Sequence, residues 1–443
     1  MNRQTLLALL GLGLFAPSAM ASPVTLTEVM QRAIANSPAV RSAQASYDLD
    51  AAQIQEARAA FLPQLSITGN ALQLDGSPVA VFGMPSSGPQ SGFGGVAGMT
   101  FAKPGEPMVL ASATLTQPLF AGFRNLNGYQ AAVQQAEATA LDLERARRKA
   151  VMEALDAMAT WQQKRASVQA LDAMVKKAST RLNWVQARAN AGTSGNVELL
   201  QAKVQLARMQ SQLADARRDA AIAQDLVTER LGAEMPGLDA MPLTWAMPVM
   251  TQEEAIALAL RDRLDLKAQA LLEAASDRQA GASHAGYWPS VSVFGTTSQL
   301  GDNSANRGAI VGLQASWIPF DGLRTQAGIS KANAMSAKRR ADREAVIRAV
   351  VQEVKQAYAD WQSATSLREL RQQELVLSEE ARRQAETIRS EGALTLTEYT
   401  DAEMDRLQAR FDLEASRLAV RRSELKLATA LGYSPDRLIR QEK

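Results

Sequence analysis

No proline occurs between Pro118 and Pro236, or between Pro319 and Pro435. A proline inside a helix removes a backbone donor and clashes with the preceding turn. Its absence over two such stretches leaves room for very long helices, and Ala, Leu, Gln, Glu, Arg and Lys, all good helix formers, dominate both. Each stretch reads as one helix of roughly 70 residues, a turn at Gly192 or Gly392, and a second helix of roughly 35. At 1.5 Å per residue the longer helix reaches roughly 100 Å, whereas an average helix has about 11 residues.

Apolar residues in these stretches recur every seven positions. One stripe is Ala154, Trp161, Val168, Val175, Leu182 and Ala189; another is Leu199, Leu206, Leu213, Ala220 and Val227. The last helix carries two, one through Met404, Phe411, Leu418 and Leu425, the other through Leu413, Val420 and Leu427. Phe411 and Leu413 lie about 200° apart around a helix, so this helix needs a neighbour on each side. A stave in a cylinder meets that need, and an ordinary antiparallel bundle is the alternative.

The chain also repeats itself. At an offset of 226, Phe61-Leu62-Pro63 matches Tyr287-Trp288-Pro289, Thr25 matches Thr251, and Glu28 matches Glu254. Further along the offset becomes 200: Phe120-x-Gly122 matches Phe320-x-Gly322, Trp161-Gln162 matches Trp361-Gln362, Gly192 matches Gly392, and Leu231-Gly232 matches Leu431-Gly432. The difference, 26 residues, is the size of one insertion in the first half. The expected organisation is a signal peptide over 1–21, a first repeat over 22–232, a linker over 233–250, a second repeat over 251–432 and a tail over 433–443. Each repeat opens with a helix, about Thr25 to Ala60 (broken near Ser37-Pro38) or about Gln252 to Ala285.

Two strands follow in each repeat, expected at 64–74 and 109–117, then at 290–300 and 309–317. Leu65, Ile67 and Ala71 alternate with Ser66, Thr68 and Asn70, and Val311, Leu313 and Ala315 with Gly312, Gln314 and Ser316. One apolar and one small polar face, about nine to eleven residues long, is the pattern of a tilted membrane strand around a polar lumen. Four strands cannot close a spanning barrel, and an open edge in hydrocarbon leaves backbone groups unpaired. Closure therefore requires other copies of the chain. The Gly-, Pro- and Ser-rich segment 75–107 reads as a long loop outside the cell or, compatibly, as a disordered linker.

Composition removes several function classes. There is no cysteine and only one histidine, His284, which excludes disulfides, thiol nucleophiles and Cys/His zinc sites. The net charge of +2 implies no nucleic acid, and no cofactor is expected. Arg3, the apolar run Leu6 to Phe15 and Ala19-Met20-Ala21 form a targeting segment, with cleavage expected after Ala21. No later stretch is long and apolar enough for a spanning helix, so a barrel is the remaining spanning solution.

The ordered set of marks resembles the TolC-like outer-membrane efflux proteins: the two-fold repeat, Phe61-Leu62-Pro63 and Tyr287-Trp288-Pro289 before strands, Phe120-x-Gly122 and Phe320-x-Gly322 after them, a glycine at each hairpin tip, and the closing Leu231-Gly232 and Leu431-Gly432. The resemblance covers essentially the whole mature chain. It implies a mainly α fold with a membrane β-barrel: a homotrimer with twelve barrel strands, four per chain, above a tunnel of long antiparallel helical hairpins. It further implies an exit duct in the outer membrane of a Gram-negative bacterium, with a large periplasmic portion, docked to an inner-membrane pump through a periplasmic adaptor. The non-enzymatic alternative is a secreted coiled-coil scaffold or adhesin without a pore.

The same resemblance places adaptor docking at the hairpin tips, Gly192, Thr193, Glu198, Gly392, Ala393 and Leu394, and a ring of acids at the periplasmic aperture, Glu398 and Asp401. Those two acids are three apart, hence on one helix face. Thr395-x-x-Glu398 is equally a capping-box pattern, so cap and pore roles both stand. The chain departs from the family at Ala191 and Glu391, where an apolar residue usually precedes the tip glycine; within the chain, the first repeat has Glu198 and Gln201 at the equivalent positions and so lacks the second acid.

Overall fold

A computed structural model describes residues 25–73, 80–81, 100–101, 107–192, 195–235, 238, 241, 247–300, 307–391 and 395–435. The expected targeting segment, most of the expected loop 75–107 and the last eight residues lie outside the described residues.

The two proline-free stretches form α3 (Arg124–Asn190) with α4 (Asn196–Leu231), and α7 (Arg324–Ser390) with α8 (Leu396–Ala430). α3 and α7 each run 67 residues, about 100 Å. The opening helix of each repeat is broken in two: α1 (Leu26–Asn36) and α2 (Pro38–Ala59), then α5 (Gln252–Asp262) and α6 (Leu264–Ser283). The repeated Thr and Glu are helix starts. Thr251 and Glu254 form a reciprocal capping box, whereas Thr25 accepts from the Glu28 N–H at 3.3 Å while the Glu28 carboxylate pairs with Arg32 at 3.1 Å.

The α1–α2 break follows from Ser37, which caps α2, and Pro38 at its first position. The second break has no proline. There Arg263, with φ −65° and ψ 130°, donates to Asp265 (3.0 and 2.6 Å), to Glu353 on α7 (2.6 Å) and to the Ala430 carbonyl ending α8 (3.0 Å). Tertiary contacts bend the chain where local sequence does not.

The main strands are β1 (Gln64–Gln73), β4 (Pro107–Ala121), β5 (Ser290–Leu300) and β6 (Arg307–Ser316); β2 (Ala80–Val81) and β3 (Thr100–Phe101) form a separate small ribbon. The sheet order is β1-β4-β5-β6, antiparallel throughout, so the hairpins of the two repeats meet along β4 and β5. β4 extends four residues beyond the expected end at 117. Its register shifts between Pro118 and Phe120, a bulge that accommodates a proline lacking the ladder donor.

Each hairpin passes into its long helix through two consecutive left-handed residues. These are Gly122 (φ 59°) and Phe123 (φ 64°), then Gly322 (φ 70°) and Leu323 (φ 69°). The core sits where α1, α4, α5, α7 and α8 converge on the middle of α3. Val29, Met158, Val354, Leu427 and Leu431 are fully buried there, among many alanines that let the helices approach closely. The connection between repeats is pinned to this level. Gln162 donates to the Met241 carbonyl at 2.9 Å and the Tyr358 hydroxyl to the Met250 carbonyl at 3.1 Å. Among the described residues no helix is long and apolar enough to cross a membrane, which says nothing of the sheet.

Candidate functional site

Two regions could carry function: the sheet and the far ends of the helical hairpins. In the sheet, Leu65, Ile67, Leu115, Val311 and Leu313 fall on one face by register, and all are exposed. The opposite face carries hydroxyls that bond across strands. Thr68 meets Ser112 at 2.7 Å, Thr114 meets Thr296 at 3.1 Å, and Ser66 donates to the Thr114 carbonyl at 3.4 Å. The free edges of β1 and β6 pair with no described strand. The sheet thus has one apolar and one hydroxyl-bearing face, with two outer edges unpaired among the described residues.

At the first hairpin end, α3 closes on Gly192, whose φ of 71° suits a residue without a Cβ. Gly195 precedes α4 without a side-chain cap, and Glu198 lies in the first turn. At the second end Thr395 caps α8. Its N–H and hydroxyl donate to the Glu398 carboxylate at 2.9 and 2.8 Å, and the Glu398 N–H returns to the hydroxyl at 3.2 Å. Those bonds from Thr395 hold the Glu398 carboxyl below its ordinary pKa. Thr193, Gly392, Ala393 and Leu394, expected at the tips, lie outside the described residues.

Asp401 faces the other hairpin. Arg181 of α3 donates to it in a short contact and also donates to Gln205 of α4 at 3.0 Å, so one guanidinium joins three helices. Two residues on, Glu403 is nearly buried. It lies 3.1 Å from Arg406 on its own helix, 3.7 Å from Lys177 on α3 and 3.8 Å from Arg382 on α7. Arg389 stacks over Tyr399, 4.8 Å from the ring centre. Near their ends the two hairpins are therefore tied through charges: acids on α8, bases on α3 and α7. Sequence reasoning found Glu398 and Asp401 but missed Arg181, Lys177 and Glu403. A usable signal existed, because at the offset of 200 the first repeat has Gln201 and Lys203 where the second has Asp401 and Glu403.

The sequence matches the outer membrane efflux protein family over residues 29–233 and 255–433, both repeats nearly in full. The chain belongs to that family. Solved structures share the fold of this outer membrane efflux protein. The outer membrane protein VceC from Vibrio cholerae superposes with a TM-score of 0.74 at 17% identity, covering 92% of this chain and 96% of that one. A membrane protein from Pseudomonas aeruginosa gives 0.75 at 18% identity, covering 94% and 92%. The CmeC outer membrane channel of Campylobacter jejuni gives 0.73 at 14% identity, covering 100% and 97%. No curated protein sequence matches. The TolC-like fold expected from the sequence, long helices beneath a four-stranded sheet, is the fold observed.

Proposed function

We propose that this efflux protein is the outer-membrane exit duct of a tripartite efflux or secretion system. It forms a homotrimer that passively conducts substrates delivered by an inner-membrane pump and is opened at its periplasmic end by an adaptor. The observation that carries the reading is the open four-stranded sheet, apolar outside and hydroxyl-lined inside. In hydrocarbon its two unpaired edges demand closure, and β6 of one copy against β1 of the next supplies it. A scaffold or adhesin has no use for such a sheet.

The helices support the same arrangement. α3 packs against α4 and α8, and α8 against α7, so α4 and α7 are the outer staves of each chain. Exposed apolar residues concentrate on them: Val197, Leu200 and Val204 on α4, Leu370, Val376 and Leu377 on α7. The neighbour's α4 against α7 covers both stripes.

The tips serve as the gate and the adaptor-docking surface. Glu398 and Asp401, repeated three times, ring the aperture and favour cations. The tie of Asp401 to Arg181 holds the second hairpin against the first in the closed duct, and an adaptor opens it by binding the separated hairpins more tightly than the joined ones. Single-channel recording in planar bilayers tests this. Replacing Glu398 and Asp401 together by Ala should weaken cation selectivity and block by multivalent cations while trimers still assemble, with larger effects than Glu198→Ala. Arg181→Ala should raise the open probability. A double-Ala duct with native selectivity and block would reduce both acids to local structural roles and remove the aperture assignment.

A further inference from the structure

The four main strands hold one charged residue, Arg307, the first of β6. By register it stands opposite Gln299, out of phase with the hydroxyl-bearing face. That face therefore carries no charge among the strand residues and cannot sort solutes by sign. Its hydroxyls donate and accept alike. One residue breaks its chemistry. Phe294 falls on this face, two positions from Thr296, and is the only aromatic residue there among the described residues.

The internal repeat supplies the comparison. At the offset of 226 Phe294 corresponds to Thr68, and at the offset of 200 Gly312 corresponds to Ser112. Thr68 and Ser112 stand opposite each other across β1 and β4 and share a hydrogen bond of 2.7 Å. Phe294 and Gly312 stand opposite each other at the same place across β5 and β6. The second repeat thus gives up a hydroxyl pair for an aromatic ring and a glycine. The two changes are coupled. A Cβ on Gly312 would lie 3.2 Å from the ring Cε1 and Cζ, tighter than ordinary contact, so the ring lies across β6 over the bare backbone of Gly312. A side chain at 312 would push it off the wall. Glycine inside a strand costs stability and often marks a close approach, and a ring laid over it recovers part of that cost. Phe294 nevertheless stays half-buried rather than covered, and Ile310, diagonal to it on β6, extends the apolar spot.

We propose that Phe294 is a specificity-determining contact of the duct: a platform, seated by Gly312, on which aromatic rings of the transported solute stack as they cross the barrel. This rests on the reading above that the hydroxyl-bearing face lines the lumen. Hydroxyls and water satisfy a passing polar group about equally, so the rest of the wall retains nothing in particular. A ring stacked on Phe294 gains contact that neither water nor a hydroxyl offers. Three copies of the chain repeat the platform at one level of the barrel. Solutes bearing aromatic rings are then enriched along the wall, and saturated solutes of the same size are not.

The chain has no cysteine, so a single introduced cysteine reacts uniquely. Gln314→Cys, two positions from Gly312 on the same face, Ser66→Cys, on that face of β1, and Leu313→Cys, on the apolar face, are each made in the full chain and reconstituted in phospholipid vesicles. The rate of modification by benzyl methanethiosulfonate is divided by the rate with its cyclohexylmethyl analogue. The saturated ring is the more apolar of the two, so burial alone favours it. The ratio at 314 should exceed the ratio at 66 by about two- to tenfold, the range of aromatic pairing. Phe294→Leu should bring it down to the value at 66, and Phe294→Tyr should keep it. Equal ratios at 314 and 66 with Phe294 in place overturn the platform, whether or not the leucine variant assembles. A raised ratio that survives Phe294→Leu overturns it as well. The charged ethylsulfonate reagent separates this failure from failure of the duct: it should modify 66 and 314 and spare 313. Modification of 313 in place of 66 and 314 puts the hydroxyl-bearing face outside the lumen and sinks the duct reading and the platform with it.

Discussion

The two Phe-x-Gly marks are alike in sequence and unlike in their surroundings. A Cβ on Gly122 would meet the Ala285 carbonyl oxygen at 2.7 Å and the Trp288 Cβ at 3.0 Å, whereas one on Gly322 meets nothing within 4 Å. The second turn has another device, since Asp321 accepts from the Thr325 N–H at 2.8 Å and hydroxyl at 2.6 Å; the first repeat has Ala121 there. Both glycines have positive φ, so Gly322→Ala should lower stability by about 1–2 kcal/mol, the left-handed penalty alone. Gly122→Ala adds a backbone collision and should lower it by about 2–4 kcal/mol. Unfolding midpoints of the two variants in one detergent measure the difference, and equal midpoints would show that the Ala285 contact yields at no cost. The repeat made both turns visible in the sequence. It could not show which glycine was packed, because that depends on Ala285 and Trp288 of the other repeat lying against Gly122.

Among the elements, the long helices, the strand alternation and the proline break between α1 and α2 were all legible, since each rests on local chemistry. The α5–α6 break was not, because Arg263 draws its partners from α7 and α8. That junction predicts a pH response. The Arg263 and Asp265 side chains are only 14% and 13% exposed. Burial pushes the Asp265 carboxyl up, but the hydrogen bonds and charge of Arg263, with the Leu266 N–H, outweigh it and hold the carboxyl below its ordinary value. A depressed folded-state pKa contributes stability that is fully present above the unfolded value of about 3.9 and is lost as pH falls through the folded value. Asp265→Asn should therefore cost about 1–3 kcal/mol near neutral pH. The gap between wild type and variant should stay constant from mildly acidic to neutral pH and narrow below about pH 4. Chemical unfolding at a series of pH values reads it, and a gap that widens on acidification contradicts the pairing.

For the whole molecule, the sequence argued for other copies, but the proposed seam between them could be placed only once α4 and α7 were seen to be the outer helices of one chain. Val197 near the start of α4 and Ile388 near the end of α7 are both exposed and both close to their hairpin ends. With cysteines at both positions, mild oxidation should give linked dimers and trimers, while either single variant stays monomeric on a denaturing gel; absence of linkage in the double variant contradicts the α7–α4 seam. The hairpin ties at Arg181 and Glu403 escaped the sequence reading for a related reason: they join residues more than 200 positions apart, and only the breakdown of the repeat at 401 and 403 marked them. The ladder joining the two repeats, β4 to β5, has eleven residue pairs, while those inside each repeat, β1 to β4 and β5 to β6, have ten each. Apart from the bulge between Pro118 and Phe120, the backbone pairs across the boundary between repeats as it does within each hairpin. Around the proposed ring the strands follow a pseudo-sixfold rotation on which the threefold axis is imposed by sequence, and the peptide linking the repeats sets stoichiometry, one unit of each kind per chain, rather than architecture.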